Sequence, residues 1–278
     1  MPELPEVETV RRGLAHFLIG YHFTSAAGLH PRVLKPASLQ PLAAVVGAKI
    51  KSVNRRGKFL WFELDREQAL VAHLGMSGQF LVASKDRPAP GHVRAHFDLS
   101  KGLKKQELLF SDQRTFGWLS VEELTDGIPQ SALHIARDPF DSAFNRSAVI
   151  AAMKSRKAAI KSVILNQEIM SGVGNIYADE SLWRAKIHPE IPAADLSTRK
   201  IASLVDAAIE VMAAAIEVGG TSFDAMYINI NGESGFFETS LAAYGQEGEP
   251  CPRCGRQIRR IAFGNRSSHF CPKCQVKA

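Results

Sequence analysis

All four cysteines of this 278-residue chain fall between positions 251 and 274, in the pattern Cys251-x2-Cys254-x16-Cys271-x2-Cys274. Two close pairs of thiolates fill the tetrahedral shell of Zn²⁺ and leave no position for water or substrate. One structural zinc ion is the expected occupant, with an iron–sulfur cluster or a redox dithiol as the alternatives. A disulfide framework would instead be spread through a small secreted chain. Between the pairs, residues 258–263 and 266–270 alternate as strands do, and Gly264-Asn265 supplies a hairpin turn. A zinc-pinned β-hairpin is expected at the C-terminus. Arg266 at its tip is either a cation aimed by the metal or simply an exposed one.

The other end of the chain carries a different chemistry. It begins Met-Pro-Glu-Leu-Pro-Glu-Val-Glu. Removal of Met1 would give Pro2 an exposed terminal secondary amine, and α-amino groups titrate at ~7.7–8.0, so part of the population is nucleophilic at neutral pH. Such an amine can attack a sugar C1′ and form an iminium, with Glu3 placed to exchange a proton at the same centre. The plainer reading is a helix opened by Pro5 with acidic residues at its positive end.

Residues 3–18 have helical periodicity, with Leu4, Val7, Val10, Leu14 and Phe17 as the apolar stripe. From about 22 to 122 the pattern changes to short β-type runs: 49–53, 59–64, 69–73, 79–82, 95–99 and 107–110, with 85–91 as a loop. Three turns among them carry unusual polar content. Arg55-Arg56-Gly57-Lys58 is basic, although three cations in a turn are commonly just a solvated run. His73-Leu74-Gly75-Met76-Ser77-Gly78 leaves Met76 projecting from a tight bend, although a methionine between strands is more often core. Asp112-Gln113-Arg114-Thr115-Phe116-Gly117 offers a guanidinium and a ring. If Met76, Arg114 and Phe116 meet in space, they form the wedge, ring and donor that fill the gap left by an extruded nucleotide.

After an irregular stretch at 124–142 the chain reads as helical: 142–153, 158–167, 176–184, and a long amphipathic helix capped by Ser197 and ended by Gly219-Gly220. The Gly172-Val173-Gly174-Asn175 turn opens a helix, which is a ready anion site. Lys154, Arg156, Lys157 and Lys161 precede it and are expected to make the same surface positive. A net charge of +6 suits a polyanionic partner without proving one. No apolar run reaches the ~18–20 residues of a membrane span, and the acidic start is unlike a signal peptide. A cytoplasmic location is expected.

Taken together these segments resemble the formamidopyrimidine-DNA glycosylases along essentially the whole chain. The matching pieces are 2–8, Arg-Arg-Gly-Lys at 55–58, His-Leu-Gly-Met-Ser-Gly at 73–78, Gly-Val-Gly-Asn-Ile-Tyr-Ala-Asp-Glu at 172–180, Tyr-Gly-Gln-Glu-Gly-Glu-Pro-Cys at 244–251 and the zinc hairpin. The resemblance implies an α+β multidomain fold. It comprises an N-terminal helix with an antiparallel β-sandwich (1–130), a linker (131–143), a helix–two-turn–helix bundle (144–243) and a four-cysteine zinc finger (244–278). It implies a bifunctional glycosylase and abasic-site lyase of base excision repair that acts on oxidised purines in duplex DNA, as a monomer, associated with the nucleoid when bound. Pro2 would be the Schiff-base nucleophile and Glu3 the acid for sugar ring opening. Lys58 would transfer protons near sugar and phosphate. Arg266 would bind the phosphates flanking the lesion and assist the second elimination. His92, Arg114, Lys157 and Asn175 would contact DNA, with Met76, Arg114 and Phe116 as the wedge. No redox or hydride cofactor is implied.

The chain departs from the family pattern at Asn166, where aspartate is common, at Thr115 in place of a frequent arginine, and at Phe236 in place of tyrosine. The segment from Ser222 to Phe237, which closes over the flipped base in the family, is about one residue longer here. Two other readings compete: an endonuclease VIII-type enzyme for oxidised pyrimidines, and a non-catalytic zinc-ribbon DNA-binding protein.

Overall fold

A computed structural model of the chain describes residues 2–35, 40–83, 91–220 and 241–277. Met1, the expected loop apart from Gly91, and the 222–237 segment with Phe236 lie outside the described residues. The chain divides into two compact units, Met1–His134 with Gly219–Phe236, and Ile135–Val218 with Phe237–Ala278.

The first unit opens with α1 (Leu4–Leu18), whose buried face is Leu4, Val7, Val10, Leu14 and Leu18. Phe17, expected on that stripe, is 39% exposed, because the four-residue step from Leu14 carries the stripe to Leu18 instead. Strands β1 (His22–Gly28), β2 (Ile50–Arg56), β3 (Phe59–Leu64), β4 (Gln68–His73), β5 (Gly78–Ala83), β6 (Val93–Lys101), β7 (Lys104–Asp112), β8 (Trp118–Thr125) and β9 (Ile128–Pro129) follow. They form two antiparallel sheets, ordered β1-β6-β7-β5 and β2-β3-β4-β8-β9. Period-2 alternation sets the faces: in β6, Ala95, Phe97 and Leu99 point inward while their neighbours are partly exposed. Phe23, Phe62, Phe80, Phe97 and Phe110 knit the core, with ring centroids 5.1–6.5 Å apart along the chain of contacts. Together with α1 they make one continuous apolar cluster. The fold is the expected sandwich with a leading helix.

The second unit holds α2 (Arg146–Lys154), α3 (Ile160–Ile164), α4 (Asn175–Ala185), α5 (Thr198–Glu217) and the hairpin of β10 (Arg259–Phe263) and β11 (Arg266–Phe270). The first helix starts later than periodicity suggests. Asn145 accepts a hydrogen bond from the Ala148 N–H through its side chain and fixes the N-terminus there. The second is only five residues long. Ser197 caps α5 by accepting from the Lys200 N–H. Among the described residues no helix is long and apolar enough to cross a membrane.

Candidate active site

In the first unit Glu3 is the N-cap of α1, and its own N–H donates to Glu6 Oε2 at 2.8 Å. That contact satisfies a backbone donor that the helix leaves unpaired and fixes the chain just after Pro2. Both Pro2 and Glu3 are buried. With Met1 attached, the Pro2 nitrogen is part of a peptide bond rather than a free terminal amine. Leu4 and Val7, fully buried one helical turn apart, draw the start of α1 into the protein and take Pro2 with them.

Glu8, on the same helix, gathers three guanidinium groups. Arg11 Nε and Nη2 each lie 2.9 Å from it, Arg12 Nε 2.8 Å and Arg55 Nε 3.0 Å. Burial pushes the Glu8 carboxyl up, but Arg11 and Arg55 outweigh it and bring its pKa down to about 2. Arg55 also donates through Nη1 to the Gly57 carbonyl at 3.3 Å. The β2–β3 turn is thus tied to α1. Gly57 takes the left-handed backbone (φ +55°) that a two-residue hairpin turn needs, and Lys58 follows it. Lys58 is 8% exposed and the Arg55 side chain 7%. The basic turn is not a solvated charge run.

His73 faces Phe59 across β3 and β4, beside that turn. Its ring stacks on Trp118, and its Nδ1 accepts a hydrogen bond from the Gly75 N–H at 3.1 Å. Burial, then the ammonium groups of Lys58 and Lys35, lower its pKa to about 4. The imidazole is neutral at physiological pH, with its remaining proton on Nε2. Sequence reading passed over it. The available signal was that hairpin register would bring it next to Lys58.

The 73–78 and 112–117 turns meet. Asp112, 1% exposed, accepts hydrogen bonds from Ser77 Oγ, from the Arg114 N–H at 3.2 Å and from the Gly117 N–H at 2.7 Å. Gly75 lies so close to the backbone of Phe116 and Gly117 that a Cβ there would stand 2.6 Å from the Phe116 carbonyl oxygen. Arg114 Nη1 reaches Met76 Sδ at 3.6 Å, and Phe116 is 59% exposed. The His92 carbonyl accepts from the Asp112 N–H at 3.0 Å, which sets His92 beside the same loop. His92 and Thr115 both have left-handed backbone, at φ 63° and 56°. For the β-branched Thr115 this is strained.

In the second unit Gln167 shapes the glycine turn, accepting from the Gly172 N–H and donating to the carbonyls of Leu165 and Val173. Asn166 Oδ1 accepts from the Glu168 N–H, so this chain's asparagine still closes a turn. Asn175 begins α4 and donates through Nδ2 to the Ser267 carbonyl at 3.1 Å, one residue from Arg266. Arg266 itself is exposed and pairs with Phe263 across the turn of the zinc hairpin. Lys157 is exposed after α2. Lys161 and Lys154 correct the expected surface patch. Lys161 is 0% exposed against Asp179, and the Lys154 ammonium is held by the carbonyls of Ala194 and Leu196. Glu180, which the sequence did not single out, accepts from the N–H groups of Ala242, Ala243 and Tyr244; burial still raises its pKa.

The four cysteines are free thiols whose sulfurs all lie within 4.8 Å of one another. Cys254 and Cys271 Sγ are 3.5 Å apart, close to the ~3.8 Å edge of a tetrahedron with Zn–S bonds of ~2.3 Å. The Trp183 indole N–H donates to Cys251 Sγ at 3.4 Å, an outer contact suited to a thiolate ligand. Cys251, Cys254, Cys271 and Cys274 fit one zinc ion, which would hold the β10–β11 hairpin and take no part in catalysis.

The chain matches family profiles for the formamidopyrimidine-DNA glycosylase N-terminal domain over 1–119, its H2TH domain over 135–226, and a zinc finger found in FPG and IleRS over 248–276. A formamidopyrimidine-DNA glycosylase of Corynebacterium glutamicum (strain R) is 49% identical, with all of both chains covered. One from Thermobifida fusca is 47% identical, covering 100% of this chain and 98% of that one. Among solved structures, the MutM (FPG) protein of Thermus thermophilus superposes with a TM-score of 0.87 at 38% identity over the whole of both chains. Lactococcus lactis Fpg in complex with abasic-site DNA gives 0.86 at 33%, covering 99% of this chain and 100% of that one. A MutM bound to DNA with carbocyclic 8-oxo-G gives 0.85 at 33%, with the same coverage.

Proposed function

The chain belongs to the formamidopyrimidine-DNA glycosylase family, and from that premise we propose that it removes oxidised purines from duplex DNA and then cleaves the strand. The observation that carries this reading is the placement of Pro2 and Glu3 at the start of α1, held by the Glu6 capping contact. With Met1 removed, Pro2 would present a secondary amine at the start of α1, next to Glu3.

In this mechanism the Pro2 nitrogen attacks C1′ and the glycosidic bond breaks, so the damaged base leaves with a proton. Glu3 gives a proton to O4′ as the sugar ring opens, and loss of the N–H proton completes the iminium. The iminium acidifies C2′–H. Loss of that proton expels the 3′ phosphate, and loss of the C4′ proton then expels the 5′ phosphate. Lys58, held in the turn that Arg55 ties to α1, serves proton transfer near the sugar and phosphate. Arg266 binds the phosphates flanking the lesion and assists the second elimination. His92, Arg114, Lys157 and Asn175 contact DNA, and Met76, Arg114 and Phe116 fill the gap left by the flipped nucleotide. Residues 1–130 act as the catalytic module, 131–143 as linker, 144–243 as the DNA clamp and 244–278 as the zinc finger. The enzyme works as a cytoplasmic monomer, on the nucleoid when bound.

The relatives' DNA complexes with abasic sites, Fapy-dG and 8-oxo-G support a purine-lesion substrate. Excision assays on duplexes carrying 8-oxoguanine opposite cytosine or thymine glycol test it. Preference for 8-oxoguanine is expected; preference for thymine glycol would assign the pyrimidine enzyme instead. Glu3→Gln is expected to abolish base release while duplex binding survives.

A further inference from the structure

Within the second unit, one buried ion pair sits behind the hairpin tip and has no part in the mechanism above. Lys161 on α3 and Asp179 on α4 are both 0% exposed, with Nζ 2.6 Å from Asp179 Oδ1. The same Oδ1 accepts from Ser268 Oγ at 2.8 Å, and Oδ2 accepts from the His269 N–H at 2.8 Å, with His269 Nδ1 at 3.2 Å. Lys161 also donates to the Ser267 carbonyl at 2.8 Å and lies 5.4 Å from the centre of the Phe263 ring. Asn175 Nδ2 donates to that same carbonyl at 3.1 Å.

Residues 263 and 267–269 surround Arg266 in the hairpin, and each is held by this pair. Phe263 is the cross-strand partner of Arg266. A two-stranded ribbon is marginal alone, and a zinc ion at its base restrains the ends of its strands rather than the turn. The turn is fixed by Lys161 and Asp179. An apolar pair would fill the space as well but would leave the Ser268 hydroxyl and the His269 N–H without the acceptor that Asp179 supplies. The charges therefore do more than fill volume.

We propose that Asp179 and Lys161 are positioning residues for strand cleavage, setting the Arg266 guanidinium for the second elimination and aligning Asn175 with it. The inference rests on the lyase reading above. It assigns to the pair an effect on the ratio of products, separate from the Pro2 chemistry of the other unit.

The test uses the full-length, zinc-loaded enzyme on duplex DNA carrying an abasic site. Borohydride trapping at saturating DNA reads the Pro2 step. The fraction of strands ending in 3′ phosphate rather than 3′ unsaturated aldehyde reads the second elimination. For Asp179→Asn, trapping should stay within about twofold of wild type while the second elimination slows by about tenfold or more, the scale expected from a small misplacement of a catalytic group. Arg266→Ala combined with Asp179→Asn should be no slower than Arg266→Ala alone, since one residue acts through the other. An unchanged product ratio, a parallel loss of trapping, or additive losses in the double variant would each overturn the proposal. If Asp179→Asn fails to fold or bind zinc, Ser268→Ala keeps the ion pair and removes one contact. It should shift the ratio in the same direction by a smaller factor, and no shift there overturns the proposal equally. A wild type that does not trap at all would instead remove the lyase reading itself.

Discussion

His73 should make the stability of the first unit depend on pH in a calculable way. Its native pKa of about 4, against an ordinary value of 6.5, comes first from burial and then from the cations of Lys58 and Lys35. In the unfolded chain the imidazole regains its ordinary value. Between pH 6.5 and 4 the unfolded state therefore binds a proton that the native state refuses. Stability is complete above pH 6.5, declines as pH falls through that window, and loses nothing more from this group below about 4. At ~1.4 kcal/mol per pH unit, the gap amounts to roughly 3 kcal/mol. The perturbation is His73→Gln, and the assay is urea unfolding from pH 7 to pH 4.5. Burial also lowers the pKa of His188, so the difference between variant and wild type isolates His73. The variant should show a shallower pH slope, by up to about one proton. An NMR titration of the native imidazole should place its midpoint near 4. In Lys58→Met the midpoint should rise while staying below 6.5, because burial remains. A native midpoint above 6, or identical slopes for the two proteins, would refute the reasoning.

Other perturbations follow from the same contacts. Gly75→Ala combines a left-handed backbone costing ~1–2 kcal/mol with a collision against Phe116 and Gly117 costing ~1–3 kcal/mol, so thermal unfolding should show a loss of about 2–5 kcal/mol. Glu8→Ala leaves the guanidiniums of Arg11, Arg12 and Arg55 without their shared carboxylate and should cost about 2–4 kcal/mol in urea unfolding at pH 7; a loss under about 0.5 would contradict the clamp. Because the Glu8 carboxyl is held down at about 2, its contribution should persist above pH 4.5 and fade only as pH falls towards 2. Cys271→Ser should release zinc, measured by metal analysis, and lower the hydrogen-exchange protection of β10 and β11.

The sequence was most legible where chemistry and spacing coincide. The cysteine pairs specify their metal, and the short β-type runs at 95–99 and 107–110 mark strands that the structure contains, extended by several residues. Phe17 shows the limit of a helical stripe, since a face drifts along a helix of several turns and packing decides which residue stays inside. Lys161 shows another. In sequence it is one more cation in a basic run, and only the approach of α4 and the hairpin reveals Asp179 waiting for it. Asp112 escaped for a similar reason, since its role depends on two turns meeting, while His73 takes its setting from the β3–β4 register that brings it beside Lys58. Pro2 was expected at the surface as a chain end once Met1 is removed; with Met1 attached it is buried at the start of α1, beside Leu4.

The central claim is tested by treating the mature protein, lacking Met1, with borohydride in the presence of duplex DNA carrying 8-oxoguanine, and mapping the adduct by peptide mass. The account predicts one covalent complex attached at Pro2 and lost in Pro2→Gly. An adduct on Lys58 or any other lysine, or no adduct from protein shown to begin at Pro2, would contradict it.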